Sequence, residues 1–128
     1  MHRKPIIVFV CEHGAAKSII AATYFNQLAN KSGLNLTAIA RGTNPDAELS
    51  EQTVKGLSRD GLAPIDVVPE KLSINNIHSA ERIVSFCDLP DAYKDMAIVE
   101  QWNDVPPASE NYDAARDTIL GHLYDLLK

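Results

Sequence analysis

The sequence predicts an α/β fold in which helices cover both faces of a parallel β-sheet. Two observations support this prediction: apolar runs of strand length alternate with helical patterns, and the first apolar run is unbroken. That run, "PIIVFV" (5–10), is rich in β-branched residues, as expected for a central parallel strand buried on both faces. Because the chain has 128 residues and is 45% hydrophobic, we expect a single domain over residues 1–128.

The first half of the chain predicts two strands and two helices. After the first strand, apolar residues recur at helical spacing from Ser18, and "KSG" ends this helix with a basic residue and a glycine. The segment "LNLTAIA" (34–40) alternates like a strand, and the turn-forming "RGTNPDAELS" follows it. Ser50 is a typical N-cap for the second helix, which Gly61 ends and Gly56 weakens.

The second half predicts two more strands, a short helix between them and a final helix. The strands are the apolar runs at 81–87 and 96–102. The final helix has an apolar stripe that consists of Tyr112, Ala115, Ile119, Leu123 and Leu126. The complete alternation favours parallel strands joined by right-handed crossovers.

Charge, apolar run lengths and cysteine content argue against several classes of protein. Twelve Lys and Arg residues against 17 Asp and Glu residues give a net charge of -5, with no basic block, so we expect no nucleic-acid partner. No apolar run is long enough to span a bilayer, and the N-terminal run lacks a cleavage site, so we expect neither a membrane association nor a signal peptide. Two distant cysteines do not form a disulfide framework, which favours a reducing, cytoplasmic location.

The segment "CEHGAAKS" (11–18), hereafter the Cys11 loop, follows the first strand directly. Ligands of parallel α/β sheets bind at the carboxyl ends of strands, where backbone N–H groups and helix N-termini attract anions. The same field would favour the thiolate of Cys11 and make it a nucleophile, and Lys17 would add positive charge. Ser18 is expected to donate its hydroxyl to the sulfur or to cap the helix.

The Cys11 loop is also open to less specific interpretations. A lone cysteine after a strand is more often a small buried apolar residue than a nucleophile. An ATP-binding loop does not match, because that motif requires glycine where this chain has Cys11 and Ala16. The combination of a strand end, a cysteine, a cation five residues beyond it, a serine and a helix start favours the anion site.

This combination resembles the low-molecular-weight protein tyrosine phosphatase superfamily, which includes the thioredoxin-coupled arsenate reductases. The family signature is Cys, five residues, Arg and then Ser or Thr, and the Cys11 loop matches it with Lys17 at the arginine position. The segments "ARGTNPDAEL", "LSEQTVKGLSRDGL" and "ERIVSFCD" also resemble the family. The resemblance implies a three-layer, doubly wound sandwich with a four-stranded parallel sheet flanked by helices, and no metal or cofactor.

The resemblance implies that Cys11 attacks a phosphate monoester, such as phosphotyrosine, and forms a phosphocysteine. The implied oxyanion-binding residues are those of the loop: Glu12, His13, Gly14, Ala15, Ala16, Lys17 and Ser18. Asp104, in "QWNDVPPASENY", resembles the general acid of the family; its register is open by one residue, with Glu110 as a weaker substitute and a simple turn as the alternative. Because lysine offers a point charge instead of a planar fork, a rate loss of about 10² to 10³ is expected.

Cys87 leads to a second enzymatic hypothesis. Arsenate reductases of the superfamily resemble this chain at "SFCD", and Cys87 would then act with Cys11, with arsenate as the oxyanion and a thioredoxin-type reductant as partner. Those enzymes use two further cysteines in this region, and this chain has one, so a buried structural Cys87 is the alternative. A third hypothesis is an oxyanion-binding module that has lost turnover through Lys17.

Overall fold

The computed structural model describes residues 5–66, 68–94 and 98–127. Its central element is a four-stranded parallel sheet, as predicted, and the strands lie in the order β2-β1-β3-β4. The strands are β1 (Ile6–Cys11), β2 (Thr37–Gly42), β3 (Ala80–Ser85) and β4 (Val99–Gln101). Since β1 lies between β2 and β3, Cys11 leaves the sheet at its middle, where parallel sheets bind ligands.

Helices and loops cover both faces of the sheet. The helices are α1 (Lys17–Lys31), α2 (Glu51–Arg59), α3 (Ile74–Ser79), α4 (Asp91–Lys94) and α5 (Tyr112–Leu126). Successive residues of β1 contribute to two separate cores: Phe9 packs with side chains of α1 and α5, and Val8 packs with Ile77 of α3. This two-sided burial explains the unbroken apolar run and confirms the three-layer prediction.

Two differences from the predicted elements have a cause in local hydrogen bonds. Helix α3 was not predicted; its N-cap Ser73 and Asn76 form a capping box, which stabilises a helix that buries only Ile77. Strand β2 begins at Thr37 and not at residue 34, because the N–H of Leu34 donates to the carbonyl of Ala29 and completes the C-terminal cap of α1. Residues 96 and 97, the start of the fourth predicted strand, lie outside the described residues.

A polar network joins α1 to α5 through the end of α2. The hydroxyls of Tyr24 and Tyr112 both donate to Oδ2 of Asp60, and Nη1 of Arg116 lies 3.1 Å from Oδ1. Burial raises the pKa of Asp60, but these hydrogen bonds outweigh it and lower the pKa overall. Burial and the hydrogen bond to Asp60 raise the pKa of Tyr24 to about 12. The network therefore holds an ionised carboxylate against neutral tyrosines.

Gly56, which weakens α2 as an isolated helix, makes room for this network. A Cβ atom added at Gly56 would lie 2.4 Å from the ring of Tyr112, whereas a Cβ at Gly121 of α5 meets nothing within 4 Å. The glycine thus allows α5 to pack closely against α2.

We expect Gly56→Ala to destabilise the protein by about 1–3 kcal/mol, because the methyl group must displace the ring of Tyr112. The matched control Gly121→Ala is expected to stabilise it by up to about 1 kcal/mol, since alanine favours a helix. Urea unfolding followed by circular dichroism measures both. Equal stabilities of the two variants would contradict this account of Gly56.

Candidate active site

The sulfur of Cys11 is enclosed by its own loop. Its Sγ atom lies 3.1 Å from the backbone N of Gly14 and 3.0 Å from Oγ of Ser18. A thiolate only accepts hydrogen bonds, so in that form both groups donate to the sulfur. Of the two roles predicted for Ser18, the structure gives contact with the sulfur, because Ala16 occupies the N-cap position of α1 and no side chain caps this helix.

Residues 43–50 fix the backbone orientation of the Cys11 loop. Their N–H groups donate to four loop carbonyls, at 3.1, 2.7, 3.0 and 2.9 Å: Thr43 to Cys11, Asn44 to Glu12, Asp46 to His13, and Ser50 to Ala15. In a trans peptide the N–H points away from the carbonyl of the same unit. The N–H groups of residues 12, 13, 14 and 16 therefore point away from residues 43–50, and that of Gly14 does reach the sulfur.

Two glycines bring the loop against the end of β2. Gly14 has a φ of 62°, a left-handed conformation that favours glycine. A Cβ at Gly14 would lie 2.9 Å from the backbone N of Gly42, and a Cβ at Gly42 would lie 2.8 Å from that of Gly14. Gly42 was not predicted as a site residue, although a glycine at the end of a strand is a sequence signal for a close backbone approach. The structure places it level with Cys11.

A cavity of about 340 Å³ opens beside the sulfur. It brings together most of the predicted oxyanion-binding residues; its lining is Cys11, Glu12, His13, Ala15, Ala16, Lys17, Asp46, Ser50, Phe86, Cys87, Pro107, Ala108 and Ser109. Gly14 and Ser18 are buried behind this lining and contact the sulfur. The sequence did not predict Asp46, Ser50 or residues 107–109, which reach the cavity from two other loops.

Lys17 adds a positive charge where the helix is already positive. It is the first residue of α1, whose first turn has no acidic residue, and it lines the cavity. A cation at a helix N-terminus is unfavourable unless an anion compensates it. The lysine, the helix end and the inward N–H groups together suit a bound oxyanion.

Cys87 shares the cavity with Cys11. It follows β3, is half-buried, and its Sγ lies 3.7 Å from Oγ of Ser85. Burial raises the pKa of the Cys87 thiol, and the nearby Cys11 raises it further. Cys87 is therefore protonated near neutral pH.

Asp104 lies outside the cavity lining. Its Oδ1 is 2.7 Å from Nε2 of His122 on α5, and this hydrogen bond holds the pKa of Asp104 below its usual range. The ring of His122 stacks on the buried Trp102, 4.5 Å between centroids. The role of Asp104 as general acid stays a prediction. Its placement does not support that role, because the carboxylate is held against α5. Its weaker substitute Glu110 is exposed and is also absent from the lining.

Comparison with known proteins identifies the family. The model of the low molecular weight phosphotyrosine protein phosphatase family matches residues 6–102. The chain belongs to this family. A search of the curated proteins finds no match.

Solved structures share the fold of this phosphatase family member at low sequence identity. YfkJ from Bacillus subtilis has a TM-score of 0.84 and 19% identity, over 98% of this chain and 94% of YfkJ. A low molecular weight protein tyrosine phosphatase from T. tengcongensis has a TM-score of 0.81 and 18% identity, over 96% and 97%. A thioredoxin-dependent arsenate reductase from Corynebacterium glutamicum has a TM-score of 0.71 and 18% identity, over 96% of this chain and 60% of its own.

Two kinds of feature are absent from the residues that the structure describes. In the part of the chain that the structure describes, no helix has the length and apolar character needed to cross a membrane. Within the same residues, no group of three or more His, Cys, Asp or Glu side chains has the arrangement of a metal site.

We expect Gly42→Ala to weaken oxyanion binding by about 10- to 100-fold, the loss associated with one charge-assisted hydrogen bond. The added methyl group would push Gly14 away from Gly42. The N–H groups of residues 12, 13, 14 and 16 would then no longer keep the orientation that suits a bound oxyanion. Isothermal titration with inorganic phosphate measures the affinity, and Gly121→Ala, remote from the loop, is the control. An unchanged affinity in Gly42→Ala would contradict the importance of the contact.

Proposed function

We propose that this protein is a cysteine-dependent phosphatase that hydrolyses phosphate monoesters, with Cys11 as the nucleophile. One observation carries the proposal: the sulfur of Cys11 accepts a hydrogen bond from the N–H of Gly14 and lies 3.0 Å from Oγ of Ser18, beside a cavity that Lys17 lines. The membership of the chain in the phosphotyrosine phosphatase family supports the same reaction.

In the first step, the thiolate of Cys11 attacks phosphorus and the ester oxygen leaves, which produces a phosphocysteine. Negative charge on the phosphoryl oxygens is stabilised by the inward N–H groups of the loop, the positive end of α1 and the ammonium of Lys17. These donors are held by backbone hydrogen bonds before substrate arrives, so little reorganisation is needed during the reaction.

In the second step, water attacks the phosphocysteine and the sulfur leaves. Ser18 acts here, because its Oγ lies 3.0 Å from Sγ and can donate a hydrogen bond to the departing thiolate. Ser18 is fully buried, so water does not compete for this hydrogen bond.

The cavity walls favour an ester with an apolar group next to the phosphate. Phe86 and Pro107 provide apolar surface, whereas Trp102 is packed into the core and Tyr112 lies against Gly56. Aryl phosphates such as phosphotyrosine are therefore the first substrates to test. A phosphorylated arginine is a further class, since an arginine phosphatase, YwlE, is among the solved structures with this fold.

We expect the wild-type protein to hydrolyse an aryl phosphate and to accumulate a phosphocysteine that mass spectrometry of acid-quenched protein detects. Cys11→Ser should abolish both. Lys17→Arg should raise kcat/KM by about 10² to 10³, because the guanidinium fork donates to two phosphoryl oxygens at once. Lys17→Met is the matched loss-of-charge variant and should lower it.

A different outcome would distinguish the binding module from the enzyme. If the wild-type protein binds phosphate but releases no product, whereas Lys17→Arg turns over, then the protein is an oxyanion-binding module and the phosphatase proposal fails.

The shared cavity of Cys11 and Cys87 favours arsenate reduction as a second candidate function. Cys11 would displace an oxygen of arsenate as water and form an S–As bond. Cys87 would then attack Sγ of Cys11, the electron pair of the S–As bond would reduce As(V) to As(III), and the resulting disulfide would be reduced by a thioredoxin-type dithiol. Burial raises the pKa of Cys87 and slows this attack at neutral pH, so this function ranks second.

We expect Cys87→Ser to keep aryl phosphatase activity within about threefold of wild type, because Cys87 makes no hydrogen bond to the sulfur of Cys11. If the wild-type protein reduces arsenate with thioredoxin, Cys87→Ser should lose this activity, which is measured as arsenite release. Arsenate reduction that persists in Cys87→Ser would remove Cys87 from the mechanism.

A further inference from the structure

The cavity beside Cys11 contains an imidazole flanked by two carboxylates. Nδ1 of His13 lies 3.1 Å from Oδ1 of Asp46, and Nε2 of His13 lies 3.7 Å from Oε2 of Glu12. The backbones of His13 and Asp46 are also joined, since the N–H of Asp46 donates to the carbonyl of His13 at 3.0 Å. All three residues line the cavity, and their side chains are more than half exposed.

The geometry of phosphoryl transfer requires a proton donor on the side of the cavity that these residues occupy. The attacking and leaving atoms are roughly in line, so a nucleophile buried at the base directs the leaving oxygen towards the open side. Cys11 is buried, whereas His13, Glu12 and Asp46 are the exposed side chains of the lining that carry ionisable groups. A leaving oxygen at the open side therefore departs next to the imidazole.

The other ionisable side chains of the lining have different properties. Cys11 is the nucleophile, Lys17 carries the anion-binding charge, and the half-buried Cys87 follows β3. The loop between β4 and α5 contributes Pro107, Ala108 and Ser109 to the cavity. None of these side chains is an acid at neutral pH. Asp104 from that loop binds His122 instead.

We propose that His13 is the general acid and base of this site and that Asp46 positions its ring. This proposal rests on the proposed phosphatase function. Imidazole is the side chain that most often acts as general acid and base in enzymes, and His13 is the histidine of the cavity lining. Oδ1 of Asp46 lies 3.1 Å from Nδ1 and holds that edge of the ring, which leaves Nε2 for proton transfer.

The two steps balance with His13 in this role. In the first, the thiolate attacks phosphorus, the P–O bond breaks, and the leaving oxygen takes the Nε2 proton of the imidazolium; the products are phosphocysteine, a neutral alcohol and neutral imidazole. In the second, the imidazole takes a proton from the attacking water, the S–P bond breaks, and inorganic phosphate leaves. The thiolate and the imidazolium are thereby restored.

The test compares esters whose leaving groups differ in their need for a proton. We expect His13→Gln to lower kcat/KM for phenyl phosphate by about 10² or more, but to lower it by less than about tenfold for 2,4-dinitrophenyl phosphate, whose phenolate leaves without protonation. Asp46→Asn should show the same dependence on the leaving group with a smaller loss and an unchanged KM. His78→Gln, an exposed histidine of α3, is the matched control.

Three results would overturn the proposal. One is an equal loss for both esters in His13→Gln, which would assign His13 to anion binding alone. Another is a loss of kcat/KM that depends on the leaving group in Asp104→Asn but not in His13→Gln. This result would assign the general acid to Asp104. The third, a wild-type protein that cleaves neither ester, would remove the phosphatase function as well; the first two leave that function intact. Circular dichroism establishes that each variant is folded, and phosphate affinity measured separately shows whether its oxyanion binding is changed.

Discussion

The backbone contact between the Cys11 loop and the segment after β2 is the constraint on which the site depends. Four hydrogen bonds from residues 43–50 hold the loop carbonyls on one side, and the peptide geometry then directs the N–H groups to the other. The contact is close because Gly14 and Gly42 leave no side chains between the two backbone segments. The sulfur of Cys11 and the cavity beside it are arranged around a surface that is built from backbone, so the position of the loop N–H groups does not depend on flexible side chains.

The fold was predictable because its signals are periodic and extend over the whole chain. The unbroken run in β1 reflects burial in both cores, and the helical stripes of α1 and α5 reflect burial in the core that they share with Phe9. The unpredicted parts depend on local hydrogen bonds with little hydrophobic content. Helix α3 buries Ile77 alone and relies on the capping box of Ser73, and the start of β2 is set by how α1 ends.

The site was predictable only where its residues are contiguous with a strong pattern. Cys11 to Ser18 follow a buried strand and precede a helix, so sequence order alone brings them together. Asp46 and Ala108 come from two turns whose polar and proline-rich composition is typical of many loops. Whether Asp104 faces the cavity or His122, eighteen positions later, is decided by the packing of α5, which no local pattern reveals.

Ser50 takes part in two structures at once. Its side chain caps α2 by accepting from the N–H of Thr53, and its own N–H holds the carbonyl of Ala15 in the Cys11 loop. Fraying of the first turn of α2 and distortion of the loop are consequently one cooperative event. A change in temperature or denaturant that loosens this helix terminus is therefore expected to distort the Cys11 loop as well.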